Sequence, residues 1–341
     1  MVMDICLIYL GNRGGGARLT RDIYVDLQNS GHDTSVLFKV DSEFSETYLE
    51  KNLKNIGVNW SASRFLTLFL SILNTHRIAK IIKDKYPNPT LFVFTMPHPY
   101  NENLIRRISR KSNAITLSVI HDDKSHLGEF WPTKRFIKKL ISKSDYSMFL
   151  SEYVLSKFPK NENFLLTTLE SLPLLTWPFP LRNPETLLAP GRIKKYKNLE
   201  GLLDFSTKLT TNYKIKIVGQ GKLGFPKGNA NIIFENRWLS SIEFEREIAS
   251  AGCVLSFYSE ATQSGPVAIA KAYGIPVISN FKGGVAEQLE NYPSAYRLHA
   301  IEDISIKLLD EVSKNKYDYQ ENRIFPVMDI SKQLLRLSSR L

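Results

Sequence analysis

Cysteine is scarce in this 341-residue chain: Cys6 and Cys253 are the two present, each inside an apolar run that reads as a strand. Two thiols buried in strands exclude a disulfide framework and fit a reducing compartment. Long hydrophobic runs are missing too. The most extended one, Phe65 to Leu73, falls far short of the roughly 20 residues a membrane-spanning helix needs. The opening MVMDICLIYL carries an early Asp4, no basic region and no small-residue cleavage site, so no secretion signal is expected and the location is expected to be cytoplasmic. Asp-x-Asp is absent, and no His/Cys cluster has ligand spacing; the adjacent Asp122 and Asp123 do not make one. Neither a resident metal nor a cofactor is therefore expected. The lack of a Gly-x-Ser-x-Gly elbow and of a P-loop argues against hydrolase and kinase chemistry.

What the chain does have is an ordinary globular composition, 43% apolar and 23% charged, at a length that favours two domains over one. Its formal charge of +11 favours anionic partners. The excess is spread evenly, with 23 basic against 17 acidic residues in 1–178 and 22 against 17 in the remainder. No domain carries a concentrated basic stripe, so nucleic acid is not the expected partner.

Strand-like and helix-like runs alternate twice along the chain. ICLIYL, TSVLFKV, LFVFTM, AITLSVI and YSMFLS occupy the first half, separated by helical patterns over Leu19–Ser30, Phe65–Lys85 and Lys134–Ser144. LLAPGRI, YKIKIVG, NIIFEN, CVLSFY and IPVISN occupy the second. Continuous apolar strands joined by helices predict parallel sheets covered on both faces. A proline-dense stretch with Pro173, Pro178, Pro180, Pro184 and Pro190 reads as the connection between halves. The expected fold class is α/β, two Rossmann-like domains whose parallel sheets face a central cleft. The expected boundaries are 1–178 for the first domain and 179–320 for the second, with a helix in 321–341 packing back on the first domain. Ligands of such sheets bind beyond the carboxyl ends of strands.

Three strand-following loops carry the candidate chemistry. GNRGGGA, Gly11 to Ala17, opens a helix with glycines that let backbone N–H groups approach a ligand closely. It lacks the Gly-x-Gly opening of the dinucleotide fingerprint, which counts against a nicotinamide-dependent oxidoreductase. PGRIKKYKN, Pro190 to Asn198, offers Arg192 and Lys197 near a strand end, a pair suited to a diphosphate, with Lys194 and Lys195 solvated. VGQGK, Val218 to Lys222, repeats glycines beside a basic residue. A fourth segment, SEATQSGPVAIAKAYGIPVI, places Ser264 and Gly265 at a helix start, where the positive end of the dipole favours an anion and Pro266 forfeits only an N–H that has no helical partner.

The order of these motifs, with "SGHD" before the second strand, "HDD…HLGE", "IVGQG" and "GGVAE", resembles glycosyltransferase family 4, of GT-B fold, from Met3 to about Glu287. The "TQSG" turn resembles a subgroup of bacterial polysaccharide, O-antigen and capsule glycosyltransferases. The resemblance implies transfer of a sugar from a nucleoside-diphosphate sugar to a glycan or lipid-linked acceptor with retention, without metal. It assigns His121, Arg192 and Lys197 to catalysis and Gly14 and Asp122 to the acceptor side. Gly15, Gly16, Gly219, Gly221, Arg237, Glu260, Gln263, Ser264, Gly265 and Glu287 would bind the donor. The family pattern brackets the turn with two glutamates; here Ala261 and Ile269 occupy those slots, leaving Glu260 and Glu287 as the nearest replacements. The lost acids keep open a degenerate protein that binds sugar nucleotide or glycan without turnover. The apolar segment from Phe65 to Leu73 runs into Arg77, Lys80, Lys83 and Lys85, and basic pairs recur at Arg106-Arg107, Arg110-Lys111, Lys134-Arg135 and Lys138-Lys139. These predict peripheral docking on an anionic membrane surface.

Overall fold

The structure, a computed structural model, describes residues 4–47, 55–58, 71–85, 91–109, 114–126, 131–175, 179–209, 212–222, 230–314, 330 and 332–334. Phe65–Phe69, Arg110, Lys111, the Leu127–Glu129 part of the "HLGE" motif, Pro178 and most of 321–341 lie outside them. The chain divides into two compact units. One comprises Met1–Ser125, Phe130–Thr168 and Met328–Leu341; the other comprises His126–Glu129 and Leu169–Val327.

In the first unit β1 (Asp4–Tyr9), β2 (Asp33–Lys39), β3 (Asn55–Val58), β4 (Leu91–Phe94), β5 (Ile115–Ile120), β6 (Tyr146–Phe149) and β7 (Phe164–Leu166) form one parallel sheet in the order β3-β2-β1-β4-β5-β6-β7. Helices α1 (Gly15–Asn29), α2 (Glu43–Thr47), α3 (Ser71–Lys85), α4 (Asn101–Ser109), α5 (Lys134–Ile141) and α6 (Glu152–Leu155) connect the strands. The order runs outward from β1 in one direction and from β4 in the other. Right-handed crossovers therefore put α1 on one face and α3, α4 and α5 on the opposite face. Strands buried on both sides are mostly apolar, and Cys6, Ile8, Leu37, Phe92, Phe94 and Phe149 pack together in one core cluster.

The second unit repeats the plan. Strands β8 (Asn183–Pro190), β9 (Lys214–Val218), β10 (Ile232–Glu235), β11 (Ala251–Ser256), β12 (Val277–Ser279) and β13 (Ala295–Arg297) take the parallel order β10-β9-β8-β11-β12-β13. Helices α7 (Leu199–Ser206), α8 (Ser241–Ala249), α9 (Gly265–Ala272), α10 (Gly284–Leu289) and α11 (Ile306–Lys314) connect or follow them, with 3-10 turns at Lys195–Lys197 and Ile301–Asp303. Pro184 and Pro190, read from sequence as part of the connection, belong to β8. A proline is tolerated at each end because only the strand interior requires an unbroken N–H ladder. Each strand order reverses once, between β1 and β4 and between β8 and β11. The loops at those two reversals are where an open α/β sheet accepts ligands.

Candidate functional site

In the first unit the loops after β1, β2, β4 and β5 hold the candidates. Gly14 ends the glycine loop as the N-cap of α1, with φ +93°, a conformation that favours glycine. Its N–H donates to Glu43 Oε2 at 2.8 Å, and the Glu43 N–H donates to the Asn12 carbonyl at 2.8 Å. A carboxylate from α2 therefore already sits against the positive end of α1. Lys39, buried at the end of β2, donates from Nζ to Asn12 Oδ1 at 2.9 Å. Gly16 lies against Met96, whose Cγ would be 2.6 Å from an added Cβ, so the first turn of α1 can approach the β4 loop only as glycine. Gly15 has open space around it.

His121 follows β5 and is buried, and its Nε2 lies 3.0 Å from the Thr95 carbonyl oxygen. A carbonyl can only accept, so Nε2 carries the proton and Nδ1 keeps its lone pair. Burial lowers the His121 pKa, opposed by Asp122 and by the Thr95 bond, which keeps the ring neutral. Thr95 also meets the Thr20 hydroxyl at 2.6 Å, and Thr20 donates to the Gly16 carbonyl at 2.8 Å. The glycine loop and His121 are thus joined through two threonines that no motif announces. His98, in the β4 loop, is held neutral by burial and then by Lys39, its pKa lowered to about 3.

In the second unit the structure brings the loops after β8, β9 and β11 together. Lys197 is buried, its Nζ donating to the Pro190 carbonyl at 2.7 Å and lying 5.9 Å from the Tyr258 ring centroid. Burial, and then the neighbouring Arg192 charge, lower its pKa to about 7. Arg192 itself is exposed, and Lys194 is half-buried rather than solvated. The β9 loop is locked onto this one: Gly191 N–H donates to Val218 O at 2.8 Å and Ile193 N–H to Gln220 O at 3.0 Å. Gly219 has φ +151°, and a Cβ there would stand 2.1 Å from the Gly191 carbonyl oxygen. Gly221 is equally confined, with Ile193 atoms 2.5 Å from its would-be Cβ. The Asn236 amide pairs with Gly221 at both ends, accepting its N–H at 3.1 Å and donating to its carbonyl at 3.0 Å.

At the β11 loop Ser264 caps α9, its side chain accepting from Val267 N–H, and its hydroxyl lies 3.1 Å from Tyr258 Oη. Gln288 accepts the Ser264 N–H at 2.7 Å. The Gly265 N–H is the first helical donor with no partner among the described residues. Ile269 is buried in the core of this unit with Val254, Val267, Val277 and Val285. The position at which the resemblance expects a carboxylate is a core position. Ala261 is also buried, its carbonyl accepting from Gly284 N–H at 3.1 Å. Glu260, Gln263 and Glu287 are half-buried, Glu287 in the first turn of α10. Arg237 stands apart on the β10 loop, beyond β9, with its guanidinium on Glu235 at 3.0 Å and Glu243 at 2.9 Å. Asp122 follows His121 and is half-buried.

Among the described residues no group of three or more His, Cys, Asp or Glu side chains could hold a metal ion, and no helix is long and apolar enough to cross a membrane.

No family profile and no curated protein matches the chain in sequence. Solved structures match its fold. HepE of Anabaena in complex with UDP-glucose is 12% identical with a TM-score of 0.66, over 98% of this chain and 100% of HepE. An α-glucosyltransferase in complex with UDP-glucose and DNA is 13% identical with a TM-score of 0.67, over 99% of both chains. The lipopolysaccharide outer core galactosyltransferase WaaB, in its apo form, is 15% identical with a TM-score of 0.64, over 99% of this chain and 100% of WaaB. The chain has the two-unit, Rossmann-like GT-B fold that these glycosyltransferases share.

Proposed function

We propose that this chain, a protein of GT-B fold, is a glycosyltransferase that moves a sugar from a nucleoside-diphosphate sugar to a glycan or lipid-linked acceptor. Retention at the anomeric carbon and a role in cell-surface polysaccharide assembly follow the resemblance to family 4. Fold alone does not decide a reaction. The observation that carries the reading is Lys197: an ammonium buried against Tyr258, beside Arg192, at the strand-order reversal of the second sheet. A buried lysine that has lost about half its charge near neutrality is ready for an anion, because a diphosphate would restore the charge that burial costs it. The bond between the anomeric carbon and the diphosphate oxygen breaks as the acceptor oxygen attaches and gives up its proton to the departing diphosphate. Lys197, Arg192 and the Gly265 N–H would take up the charge that gathers on the leaving diphosphate. Because these donors belong to the chain, turnover is expected to persist in excess EDTA.

The first test is a thermal-shift panel of UDP, GDP, ADP, CDP and dTDP, since a ligand that binds only the folded state raises its stability by RT ln(1 + L/Kd), where L is the free ligand concentration. One member is expected to raise Tm, and its Kd is expected to weaken by up to roughly tenfold per unit as pH rises above 7, as Lys197 discharges. The ligand-free protein should show the opposite trend. Folded Lys197 loses its proton near 7 and unfolded lysine near 10.5, so its burial destabilises least at high pH. Lys197→Met should therefore be more stable than wild type at pH 6, with the difference shrinking towards pH 10. A pH-independent Kd in the wild type would remove Lys197 from the anion site.

Helices α3, α4 and α5 lie on one face of the first sheet, and their exposed Arg77, Lys80, Arg106, Lys134, Arg135 and Lys138 all point away from it. Glu102 bridges Arg106 at 2.9 Å and Lys139 at 2.8 Å, tying α4 to α5. Exposed Leu73 and Trp131 stand at or before the starts of α3 and α5, at the carboxyl edge of the sheet. At about 1 kcal/mol per basic residue near an anionic surface, this face suffices for reversible docking. Sedimentation with phosphatidylglycerol vesicles is expected to carry the protein down at low salt and release it at high salt, with little binding to phosphatidylcholine. Equal partitioning on both, or none at low salt, would mean a soluble acceptor.

A further inference from the structure

Resting on the proposed donor site, we infer that Gln288 is a positioning residue that sets the "TQSG" turn for the donor diphosphate. Gln288 is 1% exposed, on α10, one residue beyond Glu287. Its amide engages both polar ends of one residue of the turn: Oε1 accepts the Ser264 N–H at 2.7 Å, and Nε2 donates to the Ser264 carbonyl at 3.3 Å. The same Nε2 donates to the Leu169 carbonyl at 3.0 Å, where the chain enters the second unit. Both of its N–H groups and one of its two carbonyl lone pairs thus go to backbone groups, which also fixes the orientation of the amide.

Two consequences follow for the anion site. Ser264 is the N-cap of α9, so holding its N–H and C=O fixes the direction of the first turn and hence of the Gly265 N–H. By taking up the Ser264 N–H, Gln288 also leaves Gly265 as the backbone donor that a phosphate oxygen would meet. Neighbouring contacts hold the entering segment on the same helices. Glu170 Oε1 accepts from Lys271 Nζ of α9 at 2.7 Å, Leu174 N–H donates to Glu245 of α8 at 2.8 Å, and Leu175 N–H donates to Tyr273 Oη at 3.0 Å. Gln288 is the member of this set that reaches the turn itself.

The test compares Gln288→Glu and Gln288→Met with wild type. The control is Tyr292→Phe, which removes a buried 2.8 Å bond to the Ile275 carbonyl in the same unit, away from the turn. Gln288→Glu keeps an acceptor for the Ser264 N–H, sets a carboxylate against two carbonyls and brings negative charge towards the diphosphate. For whichever of UDP, GDP, ADP, CDP or dTDP wild type binds, both Gln288 variants are expected to weaken Kd by tenfold or more and raise donor KM. The effect on acceptor KM should be small. Tyr292→Phe should lower Tm while leaving Kd within about twofold of wild type. Unchanged Kd in folded Gln288→Glu would overturn the inference, as would an equal loss in Tyr292→Phe. If Gln288→Met does not fold, Gln288→Glu carries the comparison at the temperature where its unliganded form is folded. Failure of wild type to bind any of the five nucleotides is a different result and would overturn the donor-site reading instead.

Discussion

Lys197→Ala and Arg192→Ala are each expected to lower turnover by roughly tenfold to a thousandfold, with the greater loss at Lys197. A hydrogen bond to a charged group contributes about 1.5–3 kcal/mol, and one aimed at charge that develops in the transition state contributes more. Lys197 is the stronger case because its Nζ is fixed by the Pro190 carbonyl at 2.7 Å and shielded by Tyr258, whereas Arg192 is exposed to solvent. Lys197→Arg retains the charge but cannot keep the geometry. Gly191 leaves no spare room: an added Cβ there would lie 2.8 Å from Nζ. Little rescue is expected from arginine. Steady-state assays with an accepted donor and acceptor measure this directly, and wild-type turnover in both alanine variants would remove the pair from the mechanism.

Gly219→Ala is expected to destabilise the second unit by roughly 3 kcal/mol and to abolish nucleotide binding in whatever remains folded. The new methyl would meet the Gly191 carbonyl oxygen at 2.1 Å, a clash with backbone that no rotamer can relieve, and φ +151° is strained for any L side chain. Relief requires the β8 and β9 loops to separate, breaking the Gly191–Val218 and Ile193–Gln220 bonds and carrying Arg192 away with them. Gly15→Ala, with nothing near its Cβ, serves as the contrast and should leave Tm within about a degree or two. Urea titration of the two variants gives the comparison. A Gly219→Ala protein as stable as wild type would mean that the two loops are not locked together.

The strand pattern was readable because strands in a doubly covered sheet are mostly apolar, with small buried hydroxyls such as Ser118 and Ser256 among them. All ten runs named from sequence are strands, from ICLIYL in β1 to IPVISN around β12. Strands β3, β7 and β13 were missed. Asn55 and Gly57 in β3 and Arg297 in β13 do not suggest a buried sheet, and β7 consists of Phe164–Leu166 alone. Gly219, Lys197 and Ser264, singled out in the sequence, lie in the loops that follow β9, β8 and β11. What the sequence did not reveal are contacts that join distant segments. Glu43 on the α1 terminus, Thr20 with Thr95, Asn236 on Gly221 and Gln288 on Ser264 are contacts between segments 15 to 75 positions apart. Ile269, at which the resemblance expects a glutamate, packs in the core of the second unit, which the sequence pattern did not reveal.

Cleavage of labelled donor is the measurement that bears most directly on the proposed activity. UDP-, GDP-, ADP-, CDP- and dTDP-sugars carrying radiolabel in the sugar are incubated with the protein, without added acceptor and in EDTA, and the products are separated. Slow release of labelled sugar together with the nucleoside diphosphate from at least one donor is the predicted result, lost in Lys197→Ala. Binding of a labelled donor with no cleavage above the protein-free rate would contradict it and identify a degenerate sugar-nucleotide-binding protein.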